Sequence, residues 1–227
     1  MFKDRSEAGR LLAKEIRNEF NGFNKLSVKD CVVLGIPRGG VVVAKEVADK
    51  IGCPLDVIVT KKLRAPMQSE LAIGAVGETS GSLYINKRLN KELGIRNKYL
   101  EKEIGDRQRE IKRREKLYRQ GRKALDLEGK IVLIVDDGAA TGATVIAAAR
   151  EVWERQPKKV IIGLPVVAKD TLKKLEKEAD AVVFLSAPEI FYAVGQFYRE
   201  FEQTSDEKVI EILNTTNKTN RSYGTNL

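Results

Sequence analysis

Residues 131–144, IVLIVDDGAATGAT, run from five apolar residues through two adjacent acids into a loop of small residues. The apolar run is typical of a strand buried on both faces of a parallel sheet, and the residues after the loop predict a helix. In such a sheet, ligands bind beyond the carboxyl ends of the strands. We therefore expect Asp136 and Asp137 to lie at a ligand site.

The acids and the small residues suit two parts of one ligand. Ionised carboxylates accept hydrogen bonds, so the pair suits the adjacent hydroxyls of a ribose or a hard cation such as Mg²⁺. Free backbone N–H groups at the start of a helix bind phosphate, and threonine hydroxyls add further donors. The expected phosphate cradle consists of Gly138, Ala139, Ala140, Thr141, Gly142, Ala143 and Thr144. The segment predicts a ribose 5-phosphate site, with an ordinary strand–turn–helix capped by aspartate as the alternative.

Three segments carry a family resemblance. The segment 131–144 resembles the motif with which type I phosphoribosyltransferases bind 5-phosphoribosyl 1-pyrophosphate (PRPP). LGIPRGGVVVA at 34–44 is similar to the pyrophosphate loop of that family. There, Arg38 would hold phosphate oxygens, while Gly39 and Gly40 would permit the close approach of an anion.

The third segment, VTKKLRAPMQSE at 59–70, looks like the mobile lid that brings basic side chains over the pyrophosphate. The residues that match this role are Lys61, Lys62 and Arg64. A solvated basic loop is the alternative interpretation of this segment.

The resemblance implies an enzyme: a phosphoribosyltransferase that binds PRPP with Mg²⁺ and transfers the 5-phosphoribosyl group to a nitrogenous base, releasing pyrophosphate. No protein nucleophile is needed. Asp136 and Asp137 would fix the ribose and approach the metal mainly through PRPP and water. Arg38, Lys62 and Arg64 would neutralise the leaving group.

The acceptor base is expected under a hood formed by residues 186–201. Phe191 and Tyr192 are the aromatic residues that we expect to touch the base, although hood aromatics also serve simply to pack a hood onto a core. In the 6-oxopurine members of the family, an aspartate stands where this chain has Ala140. This difference favours the adenine and uracil branches without identifying the acceptor.

The predicted fold class is α/β, the type I phosphoribosyltransferase fold: a central parallel sheet flanked by helices, with a flexible flap or hairpin and a small C-terminal hood. An amphipathic helix capped by Asp4 opens the chain, with Ala8, Leu12, Ile16 and Phe20 on one face and a stop at Asn21-Gly22. The sequence also predicts one strand at 54–63, a hairpin or flap at 71–86, a surface helix at 97–120 and a final helix at 206–213. The expected boundaries are one domain at 1–213, a core at about 28–185, a helical insert at about 87–125, a hood at about 186–213 and a disordered tail at 214–227.

Composition narrows the classes of function. The 227 residues include no histidine, which excludes histidine-based triads and metal sites. Cys31 and Cys53 fit buried, reduced thiols, and with no signal peptide or membrane-spanning run we expect a cytoplasmic protein without a membrane partner.

The formal net charge of +9 indicates anionic partners. We expect PRPP and a base as small-molecule substrates, and a homodimer. The alternative is a non-catalytic regulator that senses PRPP or nucleotides and binds nucleic acid through the basic helix at 97–123. A P-loop or dinucleotide-binding protein is excluded, because neither glycine motif is present.

Overall fold

The computed structural model describes residues 1–19, 30–66 and 68–223. Its α-helices are α1 (Arg5–Glu19), α2 (Gly39–Ile51), α3 (Lys87–Glu92), α4 (Asn97–Arg119), α5 (Ala143–Trp153), α6 (Lys169–Leu175) and α7 (Asp206–Tyr223). Its strands are β1 (Cys31–Gly35), β2 (Leu55–Val57), β3 (Lys61–Ala65), β4 (Gln68–Val76), β5 (Tyr84–Ile85), β6 (Ile131–Val135), β7 (Lys159–Val166) and β8 (Ala181–Ser186). Among these residues, no helix combines the length and the apolar character needed to cross a bilayer.

A five-stranded parallel sheet forms the centre of the molecule, in the order β2-β1-β6-β7-β8. Successive strand residues point to opposite faces, so Val33 and Leu133 join one apolar cluster and Val32 and Ile134 join another. The first cluster is covered by α1, α2, α4 and α7, and the second by α5 and α6. The predicted α/β class with a central parallel sheet is confirmed.

The first helix forms as the sequence predicts. Asp4 Oδ1 accepts a hydrogen bond of 2.8 Å from the backbone N–H of Glu7, which caps α1. Ala8, Leu12 and Ile16 are fully buried along one face. Phe20 and the predicted stop at Asn21-Gly22 lie outside the described residues.

The predicted single strand at 54–63 is wrong, because the chain changes sheets within it. β2 ends at Val57, and β3 begins at Lys61 in a separate antiparallel sheet of order β3-β4-β5. The Ile58 N–H still donates a hydrogen bond of 3.1 Å to the Gly35 carbonyl of β1. Beyond this bond the chain leaves the parallel sheet. The hairpin predicted at 71–86 is present as the β4–β5 pair, and the lid segment forms most of the β3–β4 hairpin.

The expectation of reduced thiols is also wrong in this structure, where a disulfide joins Cys31 to Cys53 with their Cα atoms 5.8 Å apart. The sheet explains the pairing. Val33 lies opposite Leu55 in the parallel register of β1 and β2, so Cys31 and Cys53, each two positions earlier in the chain, meet at the same end of the sheet. Both cysteines are buried there, at the end of the sheet opposite the expected ligand site.

The C-terminal helix is longer than the predicted helix at 206–213, since α7 continues from Asp206 to Tyr223. Val209, Ile212, Leu213 and Thr216 are buried along one side, which anchors the first half of the helix. The polar residues that follow continue the same helix from that anchored start, although asparagine and threonine favour helices weakly. Residues 224–227 lie outside the described residues.

Candidate functional site

The acid pair lies where two neighbouring strands of the parallel sheet end. Asp136 and Asp137 follow the last residue of β6, and Gly35, the last residue of β1, lies opposite Val135 in the register. The Ile36 N–H bonds the Val135 carbonyl at 2.9 Å, so the turn at 36–40 continues beside the acids. The structure therefore brings together the two loops that the sequence assigned to PRPP and pyrophosphate.

Two glycines of this turn stand very close to the acid pair. A Cβ atom on Gly40 would lie 2.6 Å from Asp136 Oδ1, and a Cβ on Gly39 would overlap the Asp137 carboxylate. The backbone of the turn is thus pressed against both acids. This close approach is the physical reason for the glycine pair, and Arg38 precedes it at the head of α2. The peptide bond between Pro37 and Arg38 is cis.

Each acid has partners within the fold. Asp137 Oδ2 accepts a 2.7 Å hydrogen bond from Arg5 Nε, and the Asp137 carbonyl accepts a 2.5 Å bond from the Tyr198 hydroxyl. Asp136 Oδ1 accepts a 2.8 Å bond from the Asp137 N–H. Burial and the neighbouring Asp137 charge raise the pKa of Asp136 well above its ordinary value. The pair is therefore partly neutralised before any ligand binds.

Arg5 was not predicted as part of the site. It stands 132 residues from Asp137 in sequence and has no local motif that marks it. Tyr198 is buried against Phe2, with ring centroids 5.4 Å apart, and against Phe201, at 5.1 Å. Its ring thus packs within the hood.

The loop of small residues is only partly free to bind an anion. The Ala139 N–H donates to the Val166 carbonyl at 2.9 Å, which removes one of the predicted phosphate donors. Gly142 adopts the left-handed region at φ +74° and caps α5, a conformation that favours glycine. The Ala140 carbonyl accepts a 2.5 Å bond from the Thr171 hydroxyl, which fixes the loop against α6.

A cleft of about 760 Å³ opens beside this loop, within the range of small-molecule sites. Ala140, Thr141 and Ala143 form one wall, Lys62 lies on the hairpin side, and Phe191 lies on the hood side. The acid pair and Arg38 are not among the lining residues.

The two predicted base-contacting residues differ in position. Phe191 lines the cleft, and its ring centroid lies 4.8 Å from that of Phe197. Tyr192 is 86% exposed and does not line the cleft. Phe191 is therefore the better candidate for an acceptor contact.

The bases of the lid segment lie on strand β3, which is held by α4. Lys61, Lys62 and Arg64 line a second pocket of about 280 Å³ with Arg107 and Thr144. Lys61 Nζ lies 2.6 Å from Glu110, and burial lowers the pKa of this lysine.

Arg38 lies elsewhere, with Nη1 3.9 Å from Asp206 Oδ1. The structure places neither Arg38 nor the acid pair in the cavities lined by the hairpin bases.

The basic helix contributes fewer free charges than its sequence suggests. Nine basic residues fall between positions 107 and 123. Five are bonded within the chain, namely Arg107, Arg109, Arg114, Arg119 and Arg122. Lys112, Arg113, Lys116 and Lys123 are exposed. These internal bonds weaken the nucleic-acid alternative.

Within the part of the chain that the structure describes, no three carboxylate or cysteine side chains converge in a metal-binding group. The Asp137 carboxylate is already engaged by Arg5. These observations do not fit a metal ion held by the protein alone, but they are compatible with Mg²⁺ bound mainly through ligand oxygens and water.

The chain matches the phosphoribosyl transferase domain family over residues 5–202. A curated Mycobacterium tuberculosis protein, named as a candidate phosphoribosyl transferase in two strains, is 41% identical over 223 residues. That similarity covers 96% of this chain and 47% of the relative, so the chain spans about half the length of the curated relatives it matches. Among solved structures, the protein TT1426 from Thermus thermophilus shares 38% identity and a TM-score of 0.77, covering 95% of this chain and 99% of that one.

Proposed function

The chain belongs to the phosphoribosyl transferase domain family, and on that premise we propose that it transfers the 5-phosphoribosyl group of PRPP to a nitrogenous base. One observation carries the proposal. The glycine turn at 36–40 is pressed against the acid pair at 136–137, next to a loop that opens onto a cleft of ligand size. Sites for pyrophosphate, ribose and phosphate would then follow one another along the carboxyl ends of β1 and β6.

The acid pair would bind the ribose hydroxyls. Asp137 Oδ2 accepts from Arg5 and Asp136 Oδ1 accepts from a backbone N–H, and the remaining acceptor capacity of the two carboxylates would serve the ribose hydroxyls. The 5-phosphate would lie at the start of α5. Backbone groups of the loop at 138–144 other than the Ala139 N–H would bind it there, with the hydroxyls of Thr141 and Thr144.

In the proposed reaction, the bond between ribose C1 and the pyrophosphate oxygen breaks, and a nitrogen of the acceptor bonds to C1 and loses its proton. Arg38 and the backbone of Gly39 and Gly40 would bind the departing pyrophosphate, and Lys62 and Arg64 would reach it from the hairpin. Lys61 would contribute once it leaves Glu110. Mg²⁺ bound with PRPP would supply further charge neutralisation to the leaving group.

The acceptor would enter the cleft between Ala140 and Phe191 and stack on the phenylalanine ring. An alanine at position 140 offers no carboxylate to a base, which agrees with an acceptor of the adenine or uracil type. In this arrangement, the ring of Phe191 and the loop that contains Ala140 would contact opposite sides of the acceptor.

The test is PRPP binding by calorimetry with Mg²⁺, followed by pyrophosphate release over a panel of purine and pyrimidine bases. The double variant Asp136→Asn with Asp137→Asn should lose PRPP binding by about 100-fold or more, because each carboxylate accepts a hydrogen bond from the ligand. Asp49→Asn, an exposed position on α2 that pairs with Lys45, is the matched control. Unchanged PRPP affinity in the double variant would refute the site assignment.

A further inference from the structure

We propose that Arg5, the first residue of α1, is a positioning residue of the PRPP site: it fixes the Asp137 carboxylate and lowers the negative charge that a polyanionic ligand meets. The inference rests on the proposed function. It concerns a residue outside the three segments that carry the family resemblance.

Three contacts fix the Arg5 guanidinium. Its Nε lies 2.7 Å from Asp137 Oδ2, and its Nη1 donates to the Glu202 carbonyl at 2.7 Å. The guanidinium carbon lies 3.8 Å from the centroid of the Phe201 ring. With only 11% of its side chain exposed, Arg5 holds Asp137 in one orientation.

The Arg5–Asp137 pair also touches the glycine turn. A Cβ atom on Gly39 would come within 2.6 Å of Arg5 Nε and would overlap the Asp137 carboxylate. The ion pair of Arg5 and Asp137 therefore lies directly against the turn proposed for pyrophosphate. No other cation among the described residues forms an ion pair with Asp136 or Asp137.

The position has an electrostatic consequence. PRPP carries several negative charges, and two adjacent carboxylates at its binding site would repel it. A guanidinium bonded to one of them removes one unit of that charge, and partial burial makes its effect stronger than at an exposed site. Arg5 would thus allow two acids to bind a ribose whose two ends are phosphorylated.

Arg5 could instead act only by attaching α1 to the hood, and the experiment must separate this structural role from the proposed effect on Asp137. The segment before α1 pairs with the hood, because the Phe2 N–H donates to the Phe197 carbonyl at 2.8 Å and the Arg199 N–H donates to the Phe2 carbonyl at 2.9 Å. Arg5 stacking on Phe201 adds to this attachment. Loss of the attachment alone would alter the hood without changing the charge beside Asp137.

The test compares PRPP affinity with Mg²⁺ in the full chain for Arg5→Gln and Arg5→Lys, which keep a long side chain at this position but differ in charge. Arg5→Gln should weaken PRPP binding by about tenfold or more, the usual effect of losing a charge-assisted hydrogen bond. Arg5→Lys should retain most of the affinity. Arg10→Gln, on the same helix and 59% exposed, should bind within about twofold of the wild type.

Phe2→Leu tests the attachment of the hood, since it removes the ring contact with Tyr198 but leaves all three contacts of Arg5, and it should bind PRPP nearly as the wild type does. Equal affinity of Arg5→Gln and Arg5→Lys would overturn the inference, and so would a loss in Phe2→Leu as large as that in Arg5→Gln. In both cases binding by the wild type would leave the proposed function intact. Absence of PRPP binding by the wild type itself would overturn the function and the inference together.

Discussion

Glu115 is a buried carboxylate on α4, 7% exposed, whose charge is poorly compensated. Its Oε1 lies 3.4 Å from Arg119 Nη1 and has no hydrogen-bond partner among the described residues. Burial, opposed by Arg119 and reinforced by the neighbouring Glu78 carboxylate, raises the pKa of Glu115 to about 7. In the folded protein this side chain therefore holds a proton that it would release in the unfolded chain.

The sign of the pH effect follows from linkage. A carboxyl whose pKa is raised on folding contributes stability that is fully present below its unfolded pKa of 4.5 and is lost as the pH rises through about 7. Glu115→Gln mimics the protonated form and should abolish this loss. We expect its free energy of unfolding, relative to the wild type, to increase by on the order of 3 kcal/mol between pH 4.5 and 8.

Urea denaturation at pH 4.5, 6 and 8 checks this prediction, with Glu101→Gln on an exposed part of the same helix as the control. Only the difference between variant and wild type is compared, because other carboxylates change stability in the opposite direction. Parallel pH profiles for the wild type and Glu115→Gln would contradict the assigned pKa.

Among single residues, those whose role follows from local chemistry could be predicted from the sequence. The acid pair and the glycines can be recognised because each group directly follows an apolar strand. Arg5 could not be predicted, because its contact with Asp137 spans 132 residues and depends on where α1 docks. The loss of Ala139 as a phosphate donor likewise depends on a bridge to Val166 that no local pattern reveals.

At the scale of elements, the β3–β4 hairpin is bound to α4 rather than free above the cleft. The Arg64 N–H donates to Glu103 Oε1 at 3.2 Å, and its carbonyl accepts a 2.9 Å bond from the Tyr99 hydroxyl. Lys61 adds an ion pair with Glu110. Any movement of the hairpin over a ligand must break these contacts or carry α4 with it.

Tyr99→Phe removes one of these bonds with little change of shape. We expect faster amide hydrogen exchange in β3, because the lost bond is worth about 1 kcal/mol and the hairpin opens locally. Exchange in the central strand β6 should be unchanged. Mass spectrometry of exchanged peptides gives both values, and Tyr192→Phe, an exposed position in the hood, is the control. Unaltered exchange in β3 would mean that Tyr99 does not restrain the hairpin.

Periodicity located most of the elements, including the parallel strands and the long helix now seen as Asn97–Arg119. The prediction from periodicity was wrong where a single apolar run contains two separate strands. Residues 54–63 are apolar enough for one strand, yet the antiparallel partner at β4 takes the second half of the run. The disulfide between Cys31 and Cys53 needs the register of β1 against β2, which the sequence does not contain.

At the scale of the whole molecule, the net charge of +9 raises the question of a nucleic-acid partner. Of the nine basic residues between 107 and 123, five are bonded within the chain, and the other four are exposed. Each neutralised phosphate contributes about 0.9 to the slope of the logarithm of affinity against the logarithm of salt concentration. Four contacts through this surface would give a slope no steeper than about −4.

The triple variant Lys112→Gln, Arg113→Gln, Lys116→Gln separates this surface from the cleft, because none of its positions lines a cavity near the acid pair. We expect any duplex DNA binding at 50 mM salt to fall sharply in this variant, since three of the four basic residues outside the internal bonds are gone, while PRPP affinity stays within about twofold. Fluorescence anisotropy with a labelled duplex, titrated from 50 to 200 mM salt, and calorimetry with PRPP give the two readouts.

A wild-type slope much steeper than about −4 would show that a larger basic surface binds DNA, and would favour a regulator. A shallow slope with intact PRPP binding would instead assign the excess positive charge to solubility and to attraction of small anionic substrates.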